Sequence, residues 1–177
     1  INILKGFAMQ QKHTISVLVE NKFGVLARVA GLFSGRGYNI ESLSVNSTND
    51  PTISKMTIVT KGDDAIIEQI DKQLNKLIDV ISVTDLTGSE FVERELMLMK
   101  VKATGRNRAE VIQITEIFQG KIVTVHKNEL GIELTGSAQK IEDFVNMMRE
   151  FGIIEIARTG RVAISRNPGA TENCSAK

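Results

Sequence analysis

The residues best equipped for chemistry in this sequence are Asn21, Gly24 and Asn39, all within VENKFGVLARVAGLFSGRGYNIESLSV (residues 19–45). Gly24 stands where a strand-like pattern gives way to a helical one. The start of a helix exposes backbone N–H groups with no acceptor inside the helix, and with them the positive end of the dipole, so it receives carboxylates. A residue without a Cβ lets a ligand come close to that backbone. Asn21 and Asn39 are short amides that each carry a donor and an acceptor, matching the ammonium and carboxylate of a free amino acid. Val25, Leu26 and Ile40 could wall in a small branched side chain. The same residues serve equally well as a tight turn at Gly24 with two asparagines capping loops, and spacing alone does not separate the two readings.

Other reactive groups are sparse. His13 opens one strand pattern and His126 closes another, and neither has a cysteine or carboxylate at metal-ligand spacing. Both read as ordinary strand-end histidines. No GxxxxGK[ST], GxGxxG or GxSxG occurs, which removes the usual phosphate-cradling and serine-hydrolase signatures. The acidic pairs Glu93/Glu95 and Glu142/Asp143 read as solvated faces, and Met97 and Met99 as packing residues of a strand. The single cysteine, Cys174, allows no internal disulfide and no Cys-rich zinc site. The expected catalytic and metal-binding sets are therefore empty.

Hydrophobic periodicity describes what positions the asparagines and the glycine. HTISVLVE (13–20) alternates, with Ile15, Val17 and Val19 on one face of a half-buried strand. From Gly24 the period changes, and Leu26, Val29, Ala30 and Phe33 form a helical stripe that Gly35 and Gly37 bring to an end. Strands near 38–47 and 53–60 follow, then a helix with Ile66, Ile70, Leu74 and Leu77, then VISVTDL. The order is βαββαβ. The second half repeats it: a strand at 95–103, a helix from Arg108 to Gln119 with Val111, Ile114 and Phe118 inward, and the hairpin KIVTVH/LGIELTG. A helix striped by Ile141, Phe144, Val145 and Met148 comes next, followed by IIEIAR and RVAISR. The predicted fold class is α+β, two ferredoxin-like sandwiches joined by TGSEFVER. The expected divisions are an extension over 1–11, a first domain over 12–88, a second over 89–166 and a disordered tail over 167–177. Sheets this small leave open edges that invite pairing with another copy, so a homo-oligomer is expected.

Bulk composition narrows the function. Lys and Arg number 22 against 21 Asp and Glu, so the basic surplus that nucleic acid or an anionic membrane surface demands is missing. No apolar run reaches the length of a membrane-spanning helix. The fold alone is shared by RNA-recognition domains, metallochaperones and metabolite sensors. An RNA-recognition sheet stacks bases on aromatic side chains, yet the strand SKMTIVTKG has none and the chain has one Tyr and no Trp. A metallochaperone needs CxxC in its first loop, where this chain has ENKFGVL. A transcriptional sensor needs a helix-turn-helix, and both halves are already consumed by βαββαβ units.

The stretch 19–45 resembles the first ACT domain of the small, regulatory subunit of acetolactate synthase. The resemblance rests on Glu20-Asn21, Gly24, Leu26, Arg28-Val29, Leu32-Phe33, the run from Arg36 to Leu43, and Val45. It extends through DP-T-SKMTI (50–58), residues 67–86, VERELMLMKV (92–101) and RTGRVAISR (158–166), so it spans about residues 12 to 166. The resemblance implies an ACT domain followed by a second ferredoxin-like domain, in a cytoplasmic homodimer whose first domains pair side by side. It implies valine as the effector at that interface. The implied partner is a separate catalytic subunit carrying thiamine diphosphate, Mg²⁺ and FAD, with no cofactor in this chain. Asn21, Gly24 and Asn39 match the family's ligand-contacting positions, with Val25, Leu26 and Ile40 as their neighbours. Two positions depart from the family pattern. Phe23 stands where Pro or Ser is frequent, which alters the loop rim, and Thr124 replaces a frequent Asp.

Overall fold

The computed structural model describes residues 11–166, so the extension expected before Gln11 and the tail expected over 167–177 lie outside the described residues. The chain forms two compact units, one from residues up to Val92 together with the stretch from Ala163, the other from Glu93–Val162.

In the first unit the order is β1 (Gln11–Glu20), α1 (Val25–Gly35), β2 (Ile40–Ser47), β3 (Ile53–Gly62), α2 (Asp64–Leu74) and β4 (Val80–Asp85). The strands lie in the order β2-β3-β1-β4, and every pairing is antiparallel. This is the predicted βαββαβ sandwich. Its core joins Ile15, Val17 and Val19 of β1 and Met56 and Ile58 of β3 to Val25, Val29, Leu32 and Phe33 of α1 and Ile67, Ile70 and Leu74 of α2.

Two details differ from the sequence expectation. The buried stripe of α1 runs through Val25, Val29, Leu32 and Phe33, so the helix is rolled by about one residue and Leu26 faces outward. Leucine at position 26 fits the i, i+3, i+4, i+7 template as well as Val25 does, so apolar spacing could not distinguish them. β1 is also buried continuously from His13 to Val19 rather than on one face. It is an inner strand, and its small Thr14 and Ser16 lie directly opposite Val59 and Thr57.

The ends of these helices follow local chemistry. Asp63 caps α2 by accepting the Ile66 N–H at 2.9 Å. α1 ends in a left-handed step at Gly37, φ 72°, where the Tyr38 N–H donates to Phe33 O at 3.0 Å. Tyr38 then sets its ring edge-on to Phe33 at 6.4 Å. Between Ile40 and Ser42 the β2–β3 register slips. Glu41, in that bulge, meets Lys61 at 2.6 Å and Lys12 at 3.0 Å.

The second unit contains β5 (Phe91–Lys102), α3 (Arg108–Ile117), β6 (Lys121–Val125), β7 (Glu129–Gly136), α4 (Ala138–Met148) and β8 (Ile153–Arg158). Its strand order is β6-β7-β5-β8; β9 (Val162–Ser165), which falls in the first unit from Ala163 onward, pairs with β5, whose first residues Phe91 and Val92 also fall there. Phe91–Arg94, expected within the link, already belong to β5. α3 ends at Ile117, two residues before the expected end, and Gln119 follows it in the left-handed conformation, φ 57°. Met97, Met99 and Val101 pack with Leu130, Ile132 and Leu134 beneath Val111, Ile141, Phe144 and Met148. The two methionines are thus core residues, as their spacing implies.

At Gly131 of β7 a Cβ would collide with Thr124 Oγ1 of β6. Gly131→Ala should therefore cost about 1–3 kcal/mol through overpacking, read as a lower urea midpoint, and Thr124→Ala in the same background should recover part of the loss. Glu41 offers a pH-dependent check. Hydrogen bonds from Lys61 and then Lys12 hold its carboxyl below the ordinary 4.5. A depressed folded value stabilises above the unfolded value and fades as pH falls through the folded one. Glu41→Gln should cost about 0.5 kcal/mol at pH 7, on the scale of solvated ion pairs. That difference should shrink below about pH 4.5 in paired urea titrations.

Candidate functional site

β1 ends at Glu20, and the chain turns into α1 through Asn21, Lys22, Phe23 and Gly24. Gly24 occupies the N-cap position in the left-handed conformation, φ 80° and ψ −5°, with no side chain capping the helix and no acidic residue in its first turn. The two regular caps elsewhere, Asp63 on α2 and Ser137 on α4, do fill that role. The first amides of α1 thus meet no carboxylate of the helix's own, as a carboxylate receptor requires. The φ of Gly24 is one that an L side chain adopts only with strain.

Asn21 is fixed to the β2–β3 turn. Its N–H donates to Thr52 O at 2.7 Å, and its Nδ2 donates to Pro51 O at 2.8 Å. Asp50 shapes that turn by accepting the Thr52 N–H at 2.8 Å and the Thr52 hydroxyl at 2.6 Å, bonds that hold its carboxyl below the usual range. A donor of the Asn21 amide is therefore committed to the protein, and the oxygen remains for a ligand. The sequence expectation of a freely available amide narrows here to one remaining N–H and the oxygen.

Arg28 stands one turn into α1. Its Nε donates to Oδ2 of Asp79 at 2.8 Å, and its Nη2 forms an ion pair with the same oxygen at 2.7 Å. Asp79 is buried in the turn after α2, and its carbonyl accepts the Glu20 N–H at 2.8 Å. Nη1 of Arg28 comes within 3.1 Å of the position a Cβ on Gly24 would take. Helical side chains lean toward the N-terminus, so a long residue four positions after an N-cap covers the cap. That rule was the available signal for Arg28; spacing offered none for Asp79, 51 residues away. Nearby, Lys22 is engaged by Glu20 at 2.7 Å.

The structure brings Asn21, Gly24 and Leu26 to one end of the first sheet and puts Asn39 and Ile40 at the other. Glu20 pairs with Ile53 and Ile40 pairs with Thr60. Those partners lie seven residues apart on β3, and at about 3.4 Å per residue the two groups are roughly 24 Å apart within one chain. Val25 is 3% exposed and belongs to the core, so it is not a ligand wall at the rim. Leu26, 42% exposed, is open to contact. Phe23 and Ile78, in the loops before α1 and after α2, are almost wholly exposed.

His13 is a buried member of β1, with Nδ1 3.0 Å from Asp85 Oδ2 and no partner at Nε2. Burial raises the Asp85 carboxyl, but hydrogen bonds from Thr87 and His13 outweigh it and leave that group below its ordinary value. Among the described residues no group of three His, Cys, Asp or Glu side chains is placed to hold a metal ion. No helix among them is long and apolar enough to cross a membrane.

Comparison with known proteins places this architecture in context. A family model for the ACT domain of acetohydroxyacid synthase small subunits matches residues 15–82, and one for the small subunit of acetolactate synthase matches residues 94–167. The chain is 54% identical to a probable acetolactate synthase small subunit of Archaeoglobus fulgidus over 155 residues, covering 88% of this chain and 97% of that one. It is 49% identical to the acetolactate synthase isozyme 3 small subunit of Escherichia coli over 156 residues, 88% of this chain and 96% of the other. The crystal structure of the acetolactate synthase small subunit from Thermotoga maritima superposes with a TM-score of 0.81 at 43% identity, over 89% of this chain and 99% of that one.

Proposed function

Because the chain belongs to the acetolactate synthase small-subunit family, we propose that it activates a separate catalytic subunit and makes it subject to feedback inhibition by valine. The setting is branched-chain amino-acid biosynthesis in the cytoplasm. The catalytic subunit supplies the thiamine diphosphate, Mg²⁺ and FAD chemistry, and this chain supplies the sensor.

The observation that carries the reading is the divided site. Asn21 and Gly24 lie at one end of the sheet and Asn39 and Ile40 at the other, yet all four belong to the stretch for which the family resemblance implies ligand contact, Ile40 as a neighbour of Asn39. β2 is an edge strand, free on one side to pair with another copy. Antiparallel pairing of two β2 edges about a two-fold axis reverses the second copy. It thereby carries residues 39–40 of one chain toward the α1 N-terminus of the other. Such an interface repeats itself, so a homodimer holds two equivalent amino-acid sites, each built from both chains. A ligand that bridges two chains also senses their relative orientation, which is the lever an allosteric subunit needs.

The remaining residues suit a small zwitterion: the uncapped start of α1 for a carboxylate, the Asn21 oxygen for an ammonium, and Leu26 with Ile40 for an aliphatic side chain. At about 0.7–1 kcal/mol per heavy atom, a ligand the size of valine would bind between roughly 0.1 mM and 1 µM.

The chain alone is expected to turn over no pyruvate, and to stimulate an added catalytic subunit whose activity valine then suppresses. Pyruvate consumption by the chain by itself would overturn the reading. Gly24→Asp should abolish valine binding in calorimetry while the dimer persists in ultracentrifugation, because its carboxylate would compete with the ligand's own for the same donors. Asn39→His should weaken valine about tenfold or more by replacing an amide that both donates and accepts. Wild-type affinity in both variants would remove valine from this place.

A further inference from the structure

The Arg28–Asp79 pair has an unusual division of labour. An arginine that serves only to pin a helix to a loop commonly meets a carboxylate with two nitrogens on two oxygens. Here Nε and Nη2 converge on the single oxygen Oδ2 of Asp79. Nη1 has no acceptor among the described residues, and it lies over Gly24. The guanidinium is half exposed while the carboxylate that holds it is buried, so the group is fixed from below and open from above. The neighbouring cation, Lys22, is occupied by Glu20.

Asn21 supplies the opposite polarity. With one of its two Nδ2 hydrogens given to Pro51, the amide is held in place and its oxygen is left as an acceptor. A guanidinium beside Gly24 and an amide oxygen three residues earlier present a cation and an acceptor in fixed places. We propose that Arg28 binds the α-carboxylate of the amino acid at this site and that Asp79 aims it, so that the site takes free amino acids and refuses their amides. This assignment rests on the amino-acid reading above and adds to it the residue and the ligand group that decide specificity. A guanidinium–carboxylate pair is a charge-assisted interaction that a neutral carboxamide cannot replace.

The test is calorimetry of the intact wild-type dimer and its variants with valine and with valinamide, which differ only at the carboxyl group. Wild type should prefer valine about ten- to a hundredfold. Arg28→Ala should lose valine affinity and most of the preference for valine, the first amides of α1 keeping the remainder. Arg28→Lys, which keeps a charge without the fork, should restore part of the preference and covers the case in which the alanine variant does not fold. Asp79→Asn should reduce the preference without erasing it. A purely structural ion pair would weaken both ligands together and leave their ratio as in wild type. That unchanged ratio in Arg28→Ala or Arg28→Lys, with valine still bound, overturns the assignment while the amino-acid reading stands. A wild-type dimer that binds neither ligand removes the assignment together with the reading it rests on.

Discussion

A helix laid across an antiparallel sheet must carry its two ends to opposite sides of that sheet, and this constraint governs how the first unit is used. β1 delivers the chain to one end at Glu20, α1 returns it, and β2 starts again from the far end at Ile40. Residues close in sequence, such as Gly24 and Asn39, are separated by the length of a strand. The stretch 19–45 therefore reads as one motif on paper and as two separated groups in space. If both groups serve one ligand as proposed, a single copy cannot complete the site, and recognition would be tied to self-association.

The second unit repeats the topology without repeating the chemistry. At the corresponding strand-to-helix turn Asn107 replaces Gly24 as the N-cap residue in a right-handed conformation, and its side-chain oxygen is taken by the Thr104 N–H at 2.8 Å. Arg108 is turned onto the carbonyls of His126 and Lys127, at 2.8 and 3.2 Å. A guanidinium bound to backbone carbonyls is spent on holding a loop. In the first unit the equivalent loop is held by the Asn21 amide, which leaves Arg28 one unused nitrogen. Fold and site are separable properties, and here the separation occurs within one chain.

Much of the architecture was legible because it follows from periodicity and punctuation. The alternation in HTISVLVE, the switch of period at Gly24, the glycines closing α1 and the Ile141–Met148 stripe all led to the observed elements. The roll of α1 was not legible, since Val25 and Leu26 are both large and apolar and only packing into the core of the first unit chooses between them. The burial of Thr14 and Ser16 was hidden for the opposite reason: small polar residues signal exposure, yet an inner strand buries them once its backbone is bonded on both sides. Within the candidate site, the left-handed Gly24 was foreseeable from residue type. The Asp79 anchor was not, because ion pairs between distant segments leave no trace in local spacing.

The hydrogen bond from Asn21 to Pro51 has one more consequence. By engaging one of the amide's two N–H groups it holds the Asn21 side chain in one orientation, so that a zwitterion bound there would meet its oxygen from a set side. In the proposed site the acceptor at Asn21, the cation at Arg28 and the aliphatic surface of Leu26 are unlike one another, and the α-carbon of a bound amino acid would meet three distinct contacts. Mirror-image ligands cannot satisfy such a triangle equally. On the proposed reading, one amide-to-carbonyl bond in a surface loop would thus help the site distinguish the L form of an amino acid from the D form.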